Sequence, residues 1–420
     1  MSTQTTPTMA TGRRSGRRSR RGDGEPLPRW AWSRLAACTA AAALLQIDGT
    51  LITVALPKVA HNLGVSNAST ATVLSVYFAA YALVLLPAGE LVDRFSARRV
   101  ALIGLALFAV GAAAGALSPT FTFLLVTRAV QGIAAGLVSP AALAGAVSGF
   151  PPERRGSALG IWGASAGLAN LAGPLLGGLL TLGFGWRANW WALVPMGLLA
   201  FWGIAALLPA AAHGELLEPD GSVLNEIVVG ATGVAALTFA VMIGTFYLAE
   251  QYLQKAAGYS PLGASAVLIF VALLVGAAAP VAGRLSDEHG ERVPAVLGFL
   301  ATALGVGVLG ISGVSLDGVL TGVLLVPVGL GLGLLFAPTS RAALNATPNS
   351  LHGRTSAVLS AGRLAGAAIG AGVAGAALTG GVNAATVHSV LLGACALCVF
   401  VGVPLAMMLT PARVESEPAG

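Results

Sequence analysis

A carboxylate set deep in an apolar run is the residue in this chain best placed to do chemistry. Asp48 lies in QIDGTLITVALP (Gln46–Pro57), inside the first long hydrophobic stretch. A carboxylate near mid-bilayer costs roughly 2.5–3.5 kcal/mol on insertion scales, so its presence needs a reason. Burial disfavours the charged form and a nearby cation favours it. A group balanced between the two can take up and release a proton near neutral pH. The alternative is a carboxyl that only hydrogen-bonds neighbouring helices. Arg128, which opens RAVQGIAAG (Arg128–Gly136), is the natural partner. Asp48 lies about 13 Å from one end of its helix and Arg128 about 10 Å from the same end, at about 1.5 Å per residue. The depths are similar, so geometry permits an ion pair, either a static bridge or one that breaks in each cycle.

The elements that must hold these residues follow from composition. The chain has 420 residues, 56% hydrophobic and 10% charged, with a mean hydropathy of +0.82. A soluble globular chain carries about 25% charge, so both values point to the membrane class. Glycine is abundant, at 56 residues. In lipid, small residues let helices approach closely. Cys38, Cys395 and Cys398 all lie in apolar segments and read as small hydrophobes, not as a disulfide or metal set. Eight of the 23 basic residues fall in the first 34 positions. This reads as a disordered tail that helps fix orientation. Anionic-lipid or nucleic-acid binding is the alternative, and no interleaved aromatics support the latter. A cleavable signal peptide is not expected, because the first apolar run is long and contains Asp48.

Twelve apolar runs are long enough to span a bilayer. They are 34–57, 70–92, 100–118, 121–147, 156–181, 189–210, 226–253, 262–283, 293–314, 317–341, 354–379 and 385–409. Their continuous apolar character excludes a β-barrel, whose strands alternate. With the N-terminus inside, the cytosolic loops hold Arg94, Arg98, Arg99, Arg154, Arg155, Arg284, Arg292, Arg341 and Arg354. The other side holds Lys58, Arg187 and Lys255. The expected organisation is a tail at 1–33, a six-helix lobe at 34–210, an acidic cytosolic linker at 211–225, a second six-helix lobe at 226–410 and a tail at 411–420. Two charged stretches repeat across the lobes, GELVDRFSARR (Gly89–Arg99) and GRLSDEHGER (Gly283–Arg292), starting 194 residues apart. Each is expected in a loop between the second and third helix of its lobe. The repeat implies two related lobes with a binding site at their interface.

These motifs resemble the major facilitator superfamily. GELVDRFSARR resembles its signature between helices two and three, with Ser96 where a second Gly is usual, and GRLSDEHGER resembles the echo in the second lobe. RAVQGIAAG resembles the fourth-helix motif. GPLLGG (Gly173–Gly178) resembles the fifth-helix motif associated with antiporters, with Ala169 in place of an upstream Gly. QIDGTLITVALP, YLQKAAGYSPLGAS (Tyr252–Ser265) and GRLAGAAIG (Gly362–Gly370) are similar to the drug:proton antiporter branch that usually has fourteen helices. The 211–225 loop has no room for two extra helices, so the expectation is a twelve-helix, all-α membrane protein of this fold.

The resemblance implies roles. Asp48 and Arg128 would couple protons. Gly89, Asp93 and Arg98 would form a cytosolic latch: Gly89 admits helix eleven, Asp93 accepts from that helix's N-terminal amides, and Arg98 pairs with Asp93. Ordinary topogenic charge is the alternative. Gly283 and Asp287 would repeat the latch. Gly173, Pro174, Gly177 and Gly178 would let one lobe rock against the other, or simply pack tightly. Gln46, Tyr247, Glu250, Gln251 and Arg363 are candidate cavity residues. The polar group near Tyr247 could meet a cationic substrate or mark the water interface, and Arg363 could face the cavity or snorkel to the cytosol. No enzyme motif, metal set or cofactor site is found. The expected function is proton-coupled efflux of small hydrophobic or cationic compounds by a plasma (inner) membrane monomer with cytoplasmic termini. An uptake carrier or a non-transporting receptor on the same fold is the alternative. The partners are a small-molecule substrate, protons and the bilayer, with no nucleic acid.

Overall fold

The computed structural model describes residues 27–66, 69–210, 222–255, 258, 261–311, 322–377 and 384–409. The expected linker and both expected tails lie largely outside them. The described residues form twelve helices and no strand. In chain order they are α1 (Arg29–Leu63), α2 (Ala71–Phe95), α3 (Ala97–Ala116), α4 (Phe121–Val147), α5 (Arg155–Phe184) and α6 (Arg187–Leu207). There follow α7 (Glu226–Lys255), α8 (Pro261–His289), α9 (Arg292–Ile311), α10 (Val326–Asn345), α11 (His352–Ala377) and α12 (Ala385–Met408). Eleven are long and apolar enough to cross a membrane by length and composition. The other, α5, is 30 residues long and carries the apolar stretch Leu175–Phe184. Large side chains such as Leu83, Leu182, Phe184 and Phe400 stand exposed around the outside. That is a lipid-facing belt, because bilayer contact needs no polar surface.

Proline sets the two internal irregularities. Pro57 has no amide and its ring crowds the carbonyl four residues back. Accordingly α1 tightens to a 3₁₀ turn at Ile52–Ala55 before it resumes at Leu56. Pro404 acts alike in α12, where a π turn occupies Cys398–Gly402.

The six helices α1–α6 share one buried core running from Ala31 to Leu208. Helices α7–α12 are built around two smaller clusters. The lobes meet where α2 packs on α11 and α5 on α8. A further apolar cluster bridges them: Leu143, Val147 and Leu159 from the first lobe, with Ala282, Ala337 and Leu344 from the second.

The charged stretches are not loops. Gly89–Phe95 forms the last turns of α2, and Gly283–His289 the last turns of α8. The chain reverses at Ser96 (φ 96°) in one and at Gly290 (φ 81°) in the other. Helical periodicity is the reason: a Gly and an Asp four apart share one face, which a flexible loop would not guarantee. Arg341 likewise lies inside α10, not in a loop.

Candidate functional site

Asp48 and Arg128 meet, both fully buried. The two carboxylate oxygens bracket Arg128 Nη1 at 2.8 and 3.0 Å. The same nitrogen donates to Gln131 Oε1 at 3.0 Å, and Arg128 Nε donates to the Val73 carbonyl at 3.3 Å. The guanidinium lies 4.2 Å over the Tyr77 ring. Removing one partner would strand a buried charge, so the pair is strongly interdependent. It is not saturated, because Arg128 Nη2 and Gln131 Nε2 find no acceptor among the described residues.

A cavity of 290 Å³ lies between the lobes. Tyr77 forms part of its wall, as do Gln46 and Gly49, while Asp48 and Arg128 stand one side chain behind. Arg363 faces into it, which settles the choice between cavity and snorkelling. The cause is local. Gly362, Gly366 and Gly370 repeat every four residues and press α11 onto Thr232, Ala236 and Ala240 of α7. Successive helical residues turn by about 100°, so Arg363 is directed off that packed face. Ser139 and Ser360 close the floor at 3.5 Å across the lobes, and the bridging apolar cluster lies beyond them. No carboxylate is among the described lining residues. Tyr247 does not line it either; it is 40% exposed. Four-residue steps drift by about 40°, turning Tyr247 away from the face that carries Phe239 and Ile243. The side chains of Glu250 and Gln251 lie outside the described ones.

Two carboxylates seal one end of the lobe interface, the end with most arginines. Asp93 accepts from the Gly353 and Arg354 amides at 2.6 and 3.0 Å, the second and third residues of α11. Asp287 accepts from the Gly156 and Ser157 amides, both at 2.8 Å and also the second and third residues of their helix, α5. Each is an anion at a helix N-terminus, where unpaired amides and the helix dipole favour it. Glycine makes the approach possible. A Cβ on Gly89 would lie 2.6 Å from that of Ala357, and one on Gly283 would meet the Gly156 carbonyl.

Arg98 does not pair with Asp93. It donates to the Ala205 carbonyl at 2.6 Å, and Arg34 donates to Leu207 nearby at 3.1 Å. The reversal at Ser96 turns Arg98 toward the C-terminus of α6, whose last carbonyls have no helical acceptor role to fill and attract cations. Asp93 instead has Arg354 Nε at 3.8 Å.

The sequence reading expected helix-eleven amides for Asp93 without naming Gly353 or Arg354, and it missed Gly156, Ser157 and the buried Arg341–Glu291 pair at 2.6 Å beside Asp287. It also left Tyr77 unremarked. A Gly as the second residue of both α5 and α11 was the available signal.

GPLLGG packs α5 onto α1 just beyond Asp48. A Cβ on Gly173 would collide with Thr50, and one on Gly177 with the Leu51 carbonyl. At Gly178 the nearest atom is 3.9 Å away, in Val54, so that glycine is not required for packing. The side chain of Pro174 lies outside the described ones.

Comparison with known proteins agrees with this architecture. The family described as Major Facilitator Superfamily matches residues 38–371 and 230–419. The tetracenomycin C resistance and export protein of Streptomyces glaucescens is 27% identical over 406 residues, covering 81% of this chain and 75% of that protein. An uncharacterised MFS-type transporter of Mycobacterium tuberculosis is 38% identical over 194 residues, 46% of this chain, and the chain spans only 34% of that protein's length. The solved structure of the proton:xylose symporter XylE has the same fold, with a TM-score of 0.73 at 14% identity over 89% of this chain and 95% of that one. The family match runs through both lobes and the fold likeness embraces them together, so the chain belongs to the Major Facilitator Superfamily and is a multi-pass membrane transporter of small molecules.

Proposed function

We propose that this transporter is a proton-coupled antiporter that exports small, partly hydrophobic compounds, working as a monomer in the plasma membrane with its arginine-rich end in the cytoplasm. One observation carries the reading: a buried Asp48–Arg128 pair stands directly behind Tyr77, which itself walls the cavity. Cargo pressing on Tyr77 disturbs the pair, and a proton arriving on Asp48 discharges it. Arg128 then keeps Gln131 Oε1 and the Val73 carbonyl as acceptors. Segment Thr50–Leu51 of α1 is the next to respond, because Gly173 and Gly177 hold it against α5. Asp93, Asp287 and their glycines act as the latch that keeps the cytoplasmic side shut while the cavity serves the other side. The export function named for the Streptomyces glaucescens relative supports the direction.

The test uses everted vesicles with an imposed proton gradient and an internal pH-sensitive dye. Hydrophobic compounds should trigger proton release in the wild type and none in Asp48→Asn. The variant should still exchange labelled for unlabelled cargo, which requires no net proton movement. Proton release that persists in Asp48→Asn would remove Asp48 from the coupling. Proton-independent flux in the wild type would overturn antiport.

A further inference from the structure

We propose that the cavity takes an aromatic organic anion, with a carboxylate or an ionised phenol or enol oxygen held on the free edge of the Arg363 guanidinium. The inference deepens the transport reading above and rests on it. Three observations lead here. First, charge: Arg363 is the one ionised residue among the described cavity-lining residues, and none of the salt bridges among the described residues includes it. The other charges at this depth, Asp48 and Arg128, neutralise each other behind Tyr77. A cation inside a membrane bundle is costly without a counter-charge, and the cargo is the group positioned to supply it.

Second, geometry. Arg363 Nη2 donates to Ser340 Oγ at 2.6 Å, while that hydroxyl donates to the Phe336 carbonyl at 3.1 Å. The guanidinium is thus fixed at one corner, and Arg363 is one of the residues that line the cavity. A planar guanidinium presents two parallel donors to a carboxylate, which a lysine cannot do.

Third, the surroundings are aromatic. The Phe239 ring lies 6.0 Å from the Arg363 guanidinium carbon and 5.5 Å from Phe336, tilted by 60°. Phe78, Tyr81 and Trp162 complete apolar walls for a flat ring system. The remaining described polar lining is neutral, from Gln46, Thr50, Tyr77, Ser139, Ser165 and Ser360. Such a site takes an aromatic body and one anionic end.

The test is a matched series on the purified full-length protein in lipid nanodiscs: anthracene-2-carboxylate, the corresponding primary alcohol and the corresponding primary amine. Binding is read by quenching of tryptophan fluorescence, which needs no proton gradient. The wild type should bind the carboxylate about tenfold or more tighter than the alcohol, and the amine weakest, since bidentate charged pairing strengthens only the first. Arg363→Gln should abolish the preference while leaving alcohol binding within about threefold, and Arg363→Lys should retain part of it. Equal binding of the three probes, preference for the amine, or a carboxylate preference that survives in Arg363→Gln would each overturn the proposal. The wild-type series alone decides the matter if a variant fails to fold. Because binding and flux are read separately, a carboxylate preference without proton-driven export would spare this inference and sink the antiport reading.

Discussion

In the first lobe Asp93 closes on the α11 amides and has one cation, Arg354, at 3.8 Å. In the second lobe Asp287 closes on the equivalent α5 amides, then gains the Ser157 hydroxyl at 2.5 Å and Arg341 at 3.3 Å, itself tied to Glu291 at 2.6 Å. The stretch that matches the superfamily signature better is therefore the less heavily bonded. A motif records what one strand of chain contributes to a contact, whereas bonding depends also on what faces it. Here the extra groups come from α5 and α10, far away in sequence. The two reversals differ in the opposite sense: Gly290 adopts a positive φ freely, whereas Ser96 holds φ 96° and ψ 146° at a conformational cost.

The largest effect should come from the latch carboxylates. Asp287→Asn should weaken the sealed state by about 3 kcal/mol and Asp93→Asn by about 2, since hydrogen bonds to a charged group contribute about 1.5–3 kcal/mol each before compensation. A spin-label pair across the lobes at the arginine-rich end reads both, and equal opening in the two variants would erase the asymmetry. Next come the cations. Arg341→Met removes the cation that reaches both the partly exposed Asp287 and the buried Glu291 and should cost about 2 kcal/mol on the same distance scale. Arg354→Met should cost at most about 1 kcal/mol, because Arg354 is 27% exposed and its pairs are long. If Arg354 proves the more important cation, the second latch is not the stronger. The smallest effect lies at the reversals. Ser96→Gly should raise thermal stability by about 1 kcal/mol, relief of φ outweighing a cap at 3.5 Å, while Gly290→Ser should lower it by about 1–3 kcal/mol. Opposite signs in the melting temperatures would support the comparison, and two losses would break it.

The membrane fold was plain in the sequence because twelve long apolar runs have few other solutions, and the Lys/Arg asymmetry divided the two ends. Asp48 and Arg128 were legible because a charge in hydrocarbon has to be answered, and their depths along α1 and α4 could be counted. What could not be read was direction in three dimensions. Arg98 looked like a partner for Asp93, five residues away, until the turn at Ser96 carried it to the end of α6. Arg341 looked like loop charge because helix ends were set by hydropathy, and α10 continues past it to Asn345. Arg363 kept two readings until the glycine stripe beside it fixed which way α11 is rotated. The contact between Asp93 and Gly353 spans 260 residues, and no local pattern names that partner.

The neutral Asp48–Arg128 pair and the lone Arg363 together give the proposed cycle an electrical sign. An anion leaving as one proton enters moves two charge equivalents in the same inward sense. Each is favoured by about 2.3 kcal/mol per 100 mV of negative-inside potential. A monovalent cation exchanged for a proton would move none, and its export would depend on the pH difference alone. On that proposed cycle, a fixed arginine where a carboxylate would have suited a cation would let the membrane voltage act on two charges per turnover.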